Sequence, residues 1–162
     1  MAEPAPDPRA RAPVADPRSS AQAFVAFRVA GQDYCIDIMA VREIRGWTPA
    51  TALPHAPPHV RGVINLRGQV VPIYDLAKRL GLPTAEPDPR HVIVIVVLGE
   101  RVVGLLVESV SEILSAPSDR VHPTPAFDGE ASLVQAMVTL EDRMFRLLAV
   151  RDILAPDVGR AR

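Results

Sequence analysis

Few residues in this sequence are chemically competent, and their spacing argues against most of the chemistry they could support. His55, His59, His91 and His122 are the four histidines and Cys35 the single cysteine. A zinc site needs three or four His, Cys or carboxylate ligands converging on one point, usually at short fixed spacings. His55 and His59 stand four apart, but Pro57 and Pro58 lie between them and forbid the helix that would bring them together. Three histidines fall in or beside proline-rich loops and one opens a strand, which reads as solvated side chains. No serine sits in a Gly-x-Ser-x-Gly elbow. Gly62 and Gly68 punctuate apolar runs and lack the Lys-Ser/Thr that completes a phosphate loop. Cys35 falls mid-strand, where a thiol is inert core. Asp37, Asp75, Glu108 and Glu112 are scattered carboxylates. The expectation is binding without catalysis, with no catalytic residue, cofactor or metal.

Three groups suit binding. Glu43 and Arg67 can meet as an ion pair across one half of the chain, against the alternative of two independent solvated charges. Val41, Ile44, Val92 and Ile113 are apolar positions in or beside short elements; buried they are core, exposed they form a docking patch. Trp47, just before Pro49 in an irregular segment, suits an interface or a lid equally.

The elements that must position these residues centre on residues 61–76, RGVINLRGQVVPIYDL. Two β-branched runs flank a Leu-Arg-Gly-Gln corner, which predicts a hairpin with Arg67 at its rim. Gly68 tolerates positive φ, so the backbone can reverse there. Pro72 inside the second run predicts an edge or bulged strand. Val63, Leu66 and Ile73 are expected inside. Asp75 caps a short helix over 76–80, with Lys78 and Arg79 in its last turn and Gly81 as its stop.

Upstream, 24–29 and 34–38 read as a hairpin through Ala30-Gly31-Gln32-Asp33, and 39–45 as a helical turn or two carrying Val41, Glu43 and Ile44. Downstream, 91–98 is a continuous apolar run, which predicts a strand buried on both faces; Gly99-Glu100 returns it through 101–107. Residues 110–114, then a last hairpin over 134–150 turning at Glu141-Asp142, precede a short helix around Ile153 capped by Asp152.

The two halves read alike. The hairpin 24–38 matches 92–107, Val41-Arg42-Glu43-Ile44 matches Val110-Ser111-Glu112-Ile113, and the hairpin 63–74 matches 137–148. Segments this small close most readily as compact barrels, which predicts two five-stranded barrels related by an internal repeat.

Composition sets the outer bounds. The chain has 162 residues and a net charge of −1, which removes the electrostatic case for nucleic acid or an anionic membrane. Hydrophobic content is 48% but aromatic content only 4%, so the core must be Val, Ile and Leu. Pro4, Pro6, Pro8, Pro13 and Pro17 deny residues 1–21 a helix or sheet, so that stretch is expected to be a disordered tail. A lone cysteine, no signal segment and no apolar run of spanning length fit a cytoplasmic protein without membrane insertion.

These motifs resemble the CheW family of chemotaxis coupling proteins. The residues that carry the resemblance are RGVINLRGQVVPIYDL at 61–76, YCIDIMAVREIRG at 34–46 and LPHAPPHV at 53–60, with 92–113 and 138–148 resembling the second half of that fold. The resemblance implies an all-β, CheW-like domain over 22–155, with SH3-like barrels at about 22–82 and 90–155 around a shared apolar seam and a C-terminal tail over 156–162. It implies no enzyme activity and an adaptor role between the chemoreceptor cytoplasmic tip and the regulatory domain of the histidine kinase CheA. Other CheW-like domains are further partners it suggests, with localisation at receptor arrays through those partners. Carried over by position, Val41, Glu43, Arg67, Val92 and Ile113 fall at or near such contacts, and Ile44 joins them. Cys35 replaces the small residue, often glycine, usual at its position. The remaining readings are a CheW-like adaptor of a non-chemotaxis kinase pathway, a small-ligand-binding barrel or a hydrolase.

Overall fold

The fold follows from which faces of each strand are apolar. The structure, a computed structural model, describes residues 21–84, 86–124 and 133–155. The tails expected over residues 1–21 and 156–162 lie outside the described residues except for Ala21, which opens the first strand and pairs with Pro117. Eleven strands are described, with short 3-10 turns at Ile38–Ala40 and Ser118–Arg120: β1 (Ala21–Val29), β2 (Gln32–Asp37), β3 (Val41–Gly46), β4 (Val60–Leu66), β5 (Gln69–Asp75), β6 (Val92–Leu98), β7 (Arg101–Val107), β8 (Ser109–Pro117), β9 (Val121–Pro123), β10 (Val134–Leu140) and β11 (Arg143–Leu148). Helix α1 (Leu76–Arg79) follows β5, and helix α2 (Val150–Leu154) follows β11.

They form two sheets, one ordered β8-β1-β2-β11-β10-β9 and the other β3-β6-β7-β5-β4. The internal repeat is present, but the sheets do not divide near residue 90 as the sequence suggests. The hairpin β1-β2 joins β8, β10 and β11 from the second half, while β6-β7 joins β3, β4 and β5 from the first. The halves thus exchange hairpins. The two joints are alike: β11 runs parallel to β2, pairing Arg146 with Tyr34, and β5 runs parallel to β7, pairing Ile73 with Gly104. Bulges repeat too, between Val41 and Glu43 in β3 and between Ala26 and Phe27 of β1 against β8.

Alternation along the exchanged hairpins explains the exchange. In β1, Val25, Phe27 and Val29 face a core between the sheets, while Phe24 and Ala26 face the interior of their own sheet. In β6, Val94 and Val96 face the shared core, while Ile93 and Ile95 face the other interior. Each hairpin is apolar on both faces, so it must be covered on both. Both helices serve the shared core, through Leu76, Ala77 and Leu80 from the first and Val150, Ile153 and Leu154 from the second.

Several local expectations change. Residues 41–46 form a strand rather than a helix, exposed at alternate positions. Val63 is only partly buried; Ile64 and Leu66 point inward instead, because β4 alternates and Val63 lies three residues from Leu66. Pro72 lies in an interior strand. Val63, its partner, exchanges both backbone hydrogen bonds with Thr51 on the far side (2.8 and 2.9 Å), so nothing on β4 needs a donor from Pro72. On the β7 side the ladder begins only at Ile73. Gly62, at φ 144°, lies so close to Thr51 that a Cβ would come within 2.2 Å of its carbonyl oxygen. Asp75 caps α1 by accepting from the Lys78 N–H (3.3 Å). The N-cap of α2 is Ala149, not Asp152, and has no side-chain cap.

Packing around the parallel joints differs in a way that can be tested. Cys35 in one sheet and Gly104 in the other occupy equivalent places. Ala26 pairs with Cys35, and Ile95 with Gly104, so a small-small pair in one sheet is answered by large-small in the other. A Cβ on Gly104 would approach Ile73 Cδ1 to 2.6 Å and Ile93 Cγ2 to 2.8 Å. Gly104→Ala should therefore cost about 1–3 kcal/mol by overpacking. Ile73→Val, which removes Cδ1, should cost about 0.5–1.5 kcal/mol alone. In urea denaturation the double variant should lose clearly less than the sum. Strict additivity would mean that the two side chains do not compete for that space.

Candidate functional site

The exposed chemistry gathers where each sheet comes closest to closing on itself. β3 and β4 are the two outer strands of the five-stranded sheet. The β4–β5 turn nevertheless brings Arg67 onto Glu43 of β3, where the guanidinium donates to Glu43 Oε1. Arg67 can project there because it sits in the left-handed region (φ 52°), followed by Gly68 at φ 86°, and Asn65 Oδ1 accepts from the Gly68 N–H (2.8 Å). Arg45 Nη1 adds a second donor to Glu43 Oε2 at 3.3 Å. The expected pair is formed, and it bridges the open side of the barrel.

Glu43 is three-quarters covered on its side chain and Arg67 is largely exposed. The Arg67 hydrogen bond, more than that of Arg45, holds the Glu43 carboxyl below the ordinary glutamate range, and Glu43 in turn raises Arg67.

The second sheet carries a related pair, with its arginine at a different position: the repeat aligns Arg143 with Gln69, and Arg67 with Glu141. Glu112 of β8, the counterpart of Glu43, accepts from Arg143 Nη2 at 3.0 Å. Arg143 opens β11 and its guanidinium lies 4.7 Å from the centre of the Phe145 ring. Near each pair stands an exposed apolar side chain on each strand: Ile44, next to Glu43, and Val70, three residues after Arg67, in one sheet, and Ile113 and Met144, next to Glu112 and Arg143, in the other, between 44% and 67% exposed. Met144 and Arg143 escape a sequence reading that follows motifs; the signal available was the repeat, which aligns Met144 with Val70 and Glu112 with Glu43.

The other candidates divide. Val41 and Val92 are partly buried and pack against the shared core. The bulge after Val41 turns it toward the core, whereas Glu43 faces Arg67. Trp47 packs on the interior of the five-stranded sheet as a lid, its backbone N–H donating to the His91 carbonyl at 3.1 Å. Cys35 is fully buried, and burial pushes its thiol up to about 12. That fits an inert core residue.

The histidines stand apart. His59 meets the Tyr74 ring edge-on at 4.8 Å, His91 Nδ1 accepts from the Asp88 N–H at 3.1 Å, and His122 bonds Thr139 at 3.0 Å. Among the described residues, no three His, Cys, Asp or Glu side chains converge on a point that could hold a metal. The largest polar contact below the surface is structural. Arg61, at the β4 bulge, donates from Nε and Nη2 to one oxygen of the buried Asp75 (3.1 and 2.9 Å), and the other oxygen caps α1. The arrangement offers exposed aliphatic surfaces beside formed ion pairs.

The sequence and the fold both match known proteins. A family model described as the CheW-like domain matches residues 23–157. The chemotaxis protein CheW of Rhizobium meliloti is 50% identical over 140 residues, covering 85% of this chain and 90% of that protein. The chemotaxis protein CheW of Klebsiella aerogenes is 34% identical, covering 84% and 83%. The crystal structure of the scaffolding protein TtCheW from Thermoanaerobacter tengcongensis superposes with a TM-score of 0.78 at 26% identity, over 85% of this chain and 94% of that one.

The Glu43 carboxyl supplies a direct check on the pair. Its folded pKa is lowered, so the stabilisation is present at neutral pH and lost only as pH falls through the lowered value. A carboxyl-detected NMR titration should find Glu43 below the ordinary value of about 4.3, and Arg67→Leu should move it back toward that value. Ordinary titration in the parent protein would mean that the pair does not persist in solution.

Proposed function

The chain belongs to the CheW-like family, and from that premise we propose that it couples chemoreceptors to the histidine kinase CheA, docking through surfaces on both sheets. It is a chemotaxis scaffold of that family, not an enzyme. The observation that carries the coupling role is that each sheet exposes a glutamate–arginine pair with aliphatic side chains near it, the glutamates and the aliphatic residues at equivalent places and the arginines at different ones. Glu43–Arg67 with Ile44 and Val70 is answered by Glu112–Arg143 with Ile113 and Met144. Exposed large aliphatic side chains cost little singly, but grouped beside a formed ion pair they make a mixed apolar and charged patch of the kind that docks a partner. Two such faces on one rigid body are what an adaptor between two proteins requires.

On this reading Ile44, Glu43, Arg67 and Ile113 touch partners directly. Val41 and Val92 shape the docking surface from beneath, since their side chains pack against the shared core. The partners are the cytoplasmic tip of a chemoreceptor and the regulatory domain of the kinase, with other CheW-like domains as further neighbours. Recruitment to receptor arrays, on this reading, runs through these partners; no helix among the described residues is long and apolar enough to cross a membrane.

Isothermal titration with a chemoreceptor cytoplasmic fragment and with the regulatory domain of a CheA kinase tests the assignment. Ile44→Asp and Arg67→Glu should each weaken at least one partner by about tenfold or more, the cost of an interface anchor, while leaving thermal melts unchanged. Val41→Ala should lower the melting temperature first and affinity only in consequence. Unchanged affinity for both partners in Ile44→Asp and Arg67→Glu would remove this face from the interface.

A further inference from the structure

Of the two buried charged residues among those described, Asp75 and Arg79, Arg79 has no local partner and no part in either docking face. Arg79, the last residue of α1, is 6% exposed. Its Nε donates to the carbonyl of Ile153 and its Nη2 to that of Asp152, both at 3.1 Å. Arg101 of β7 donates to the carbonyl of Leu154 and, at 3.3 Å, to the Tyr74 hydroxyl. Two guanidiniums therefore take the last three carbonyls of α2.

Apart from the core packing of Val150, Ile153 and Leu154, this helix has little local support. It is five residues long, far shorter than a helix that persists alone, and its N-cap, Ala149, offers no side-chain acceptor. The equivalent helix α1 has the Asp75 cap. Cations at a helix C-terminus satisfy orphan carbonyls and complement the dipole. Burying a guanidinium against carbonyl acceptors alone is costly, which is a poor way to gain stability and a good way to fix one arrangement.

The direction of these bonds gives the arrangement its meaning. α2 continues directly from β11, a strand of the six-stranded sheet. Arg79 and Arg101 belong to elements of the five-stranded sheet, α1 after β5 and β7 itself. Every one of these guanidinium–carbonyl bonds therefore crosses from one sheet to the other. Val150, Ile153 and Leu154 are at the same time part of the core between the sheets.

We propose that Arg79, with Arg101, is a positioning clamp that locks the C-terminal helix across the two sheets and so fixes the orientation of one docking face relative to the other. The inference rests on the adaptor reading for its consequence but not for its geometry. An adaptor with two faces gains from joining them at a set angle, because bridging is lost when the geometry forbids simultaneous engagement.

Pulsed electron–electron distance measurement reads the clamp directly. Spin labels at Arg42→Cys and Ser115→Cys, exposed on β3 and β8, report the two sheets, and the buried Cys35 stays unlabelled. The parent should give one narrow distance; Arg79→Met should broaden it and accelerate amide exchange in α2 by about tenfold or more. Arg101→Met, a substitution at an exposed position, should do the same more weakly and serves if Arg79→Met does not fold. With a receptor fragment and a kinase regulatory domain, each single-partner affinity should hold in the variants while the ternary complex falls by about fivefold or more. A distance that stays narrow in both variants, or a ternary complex undiminished beside a broadened one, would overturn the clamp. A parent protein that binds neither fragment would overturn the adaptor reading instead and leave the distance measurement to decide the clamp.

Discussion

Two hairpins, β1-β2 and β6-β7, carry apolar side chains on both faces, and this constraint shapes the rest of the molecule. Neither can stand at the surface, and neither can be covered by its own half alone. The first half supplies β3, β4 and β5 to cover the hairpin of the second, and the second supplies β8, β10 and β11 to cover the hairpin of the first. Three apolar clusters result, one inside each sheet and one between them. With few aromatic rings available, Val, Ile and Leu fill all three, helped by Phe24, Phe27 and Phe145 at full burial.

Closure is where that architecture meets function. Each sheet has an outer strand with unpaired backbone, and in each an arginine from the last hairpin reaches the glutamate of that strand. An exposed ion pair contributes little to stability. Its position, flanked by exposed aliphatic side chains, suits it better to define a surface than to hold the fold. The fold is held from within, by the shared core and by Arg61–Asp75, which ties the β4 bulge to the start of α1.

What the sequence makes legible follows from locality. Turns at Arg67-Gly68 and Ala30-Gly31, the Asp75 cap and the doubly buried run of β6 each announce themselves within a few residues, and the structure contains all of them. The segment Val41-Arg42-Glu43-Ile44 misleads because apolar residues three apart fit a helix as well as a bulged strand. The N-cap of α2 misleads because the helix is set by acceptors for Arg79 and Arg101 far away in sequence, not by a local cap. Strand exchange between the halves is invisible to periodicity, which reports how a strand faces and not which strand lies beside it. The Glu43–Arg67 contact was legible as a possibility from the turn that puts Arg67 at a rim; the Glu112–Arg143 pair required the fold.

The central claim is that neither half is a folding unit, because every sheet is built from both. Far-UV circular dichroism and thermal melting of the isolated segments 22–82 and 90–155 test it most directly. The account predicts that each segment alone lacks a cooperative melt, since its hairpin is left uncovered on one face, and that mixing the two restores β-structure with a single transition. A cooperative melt of segment 22–82 as a monomer would contradict it.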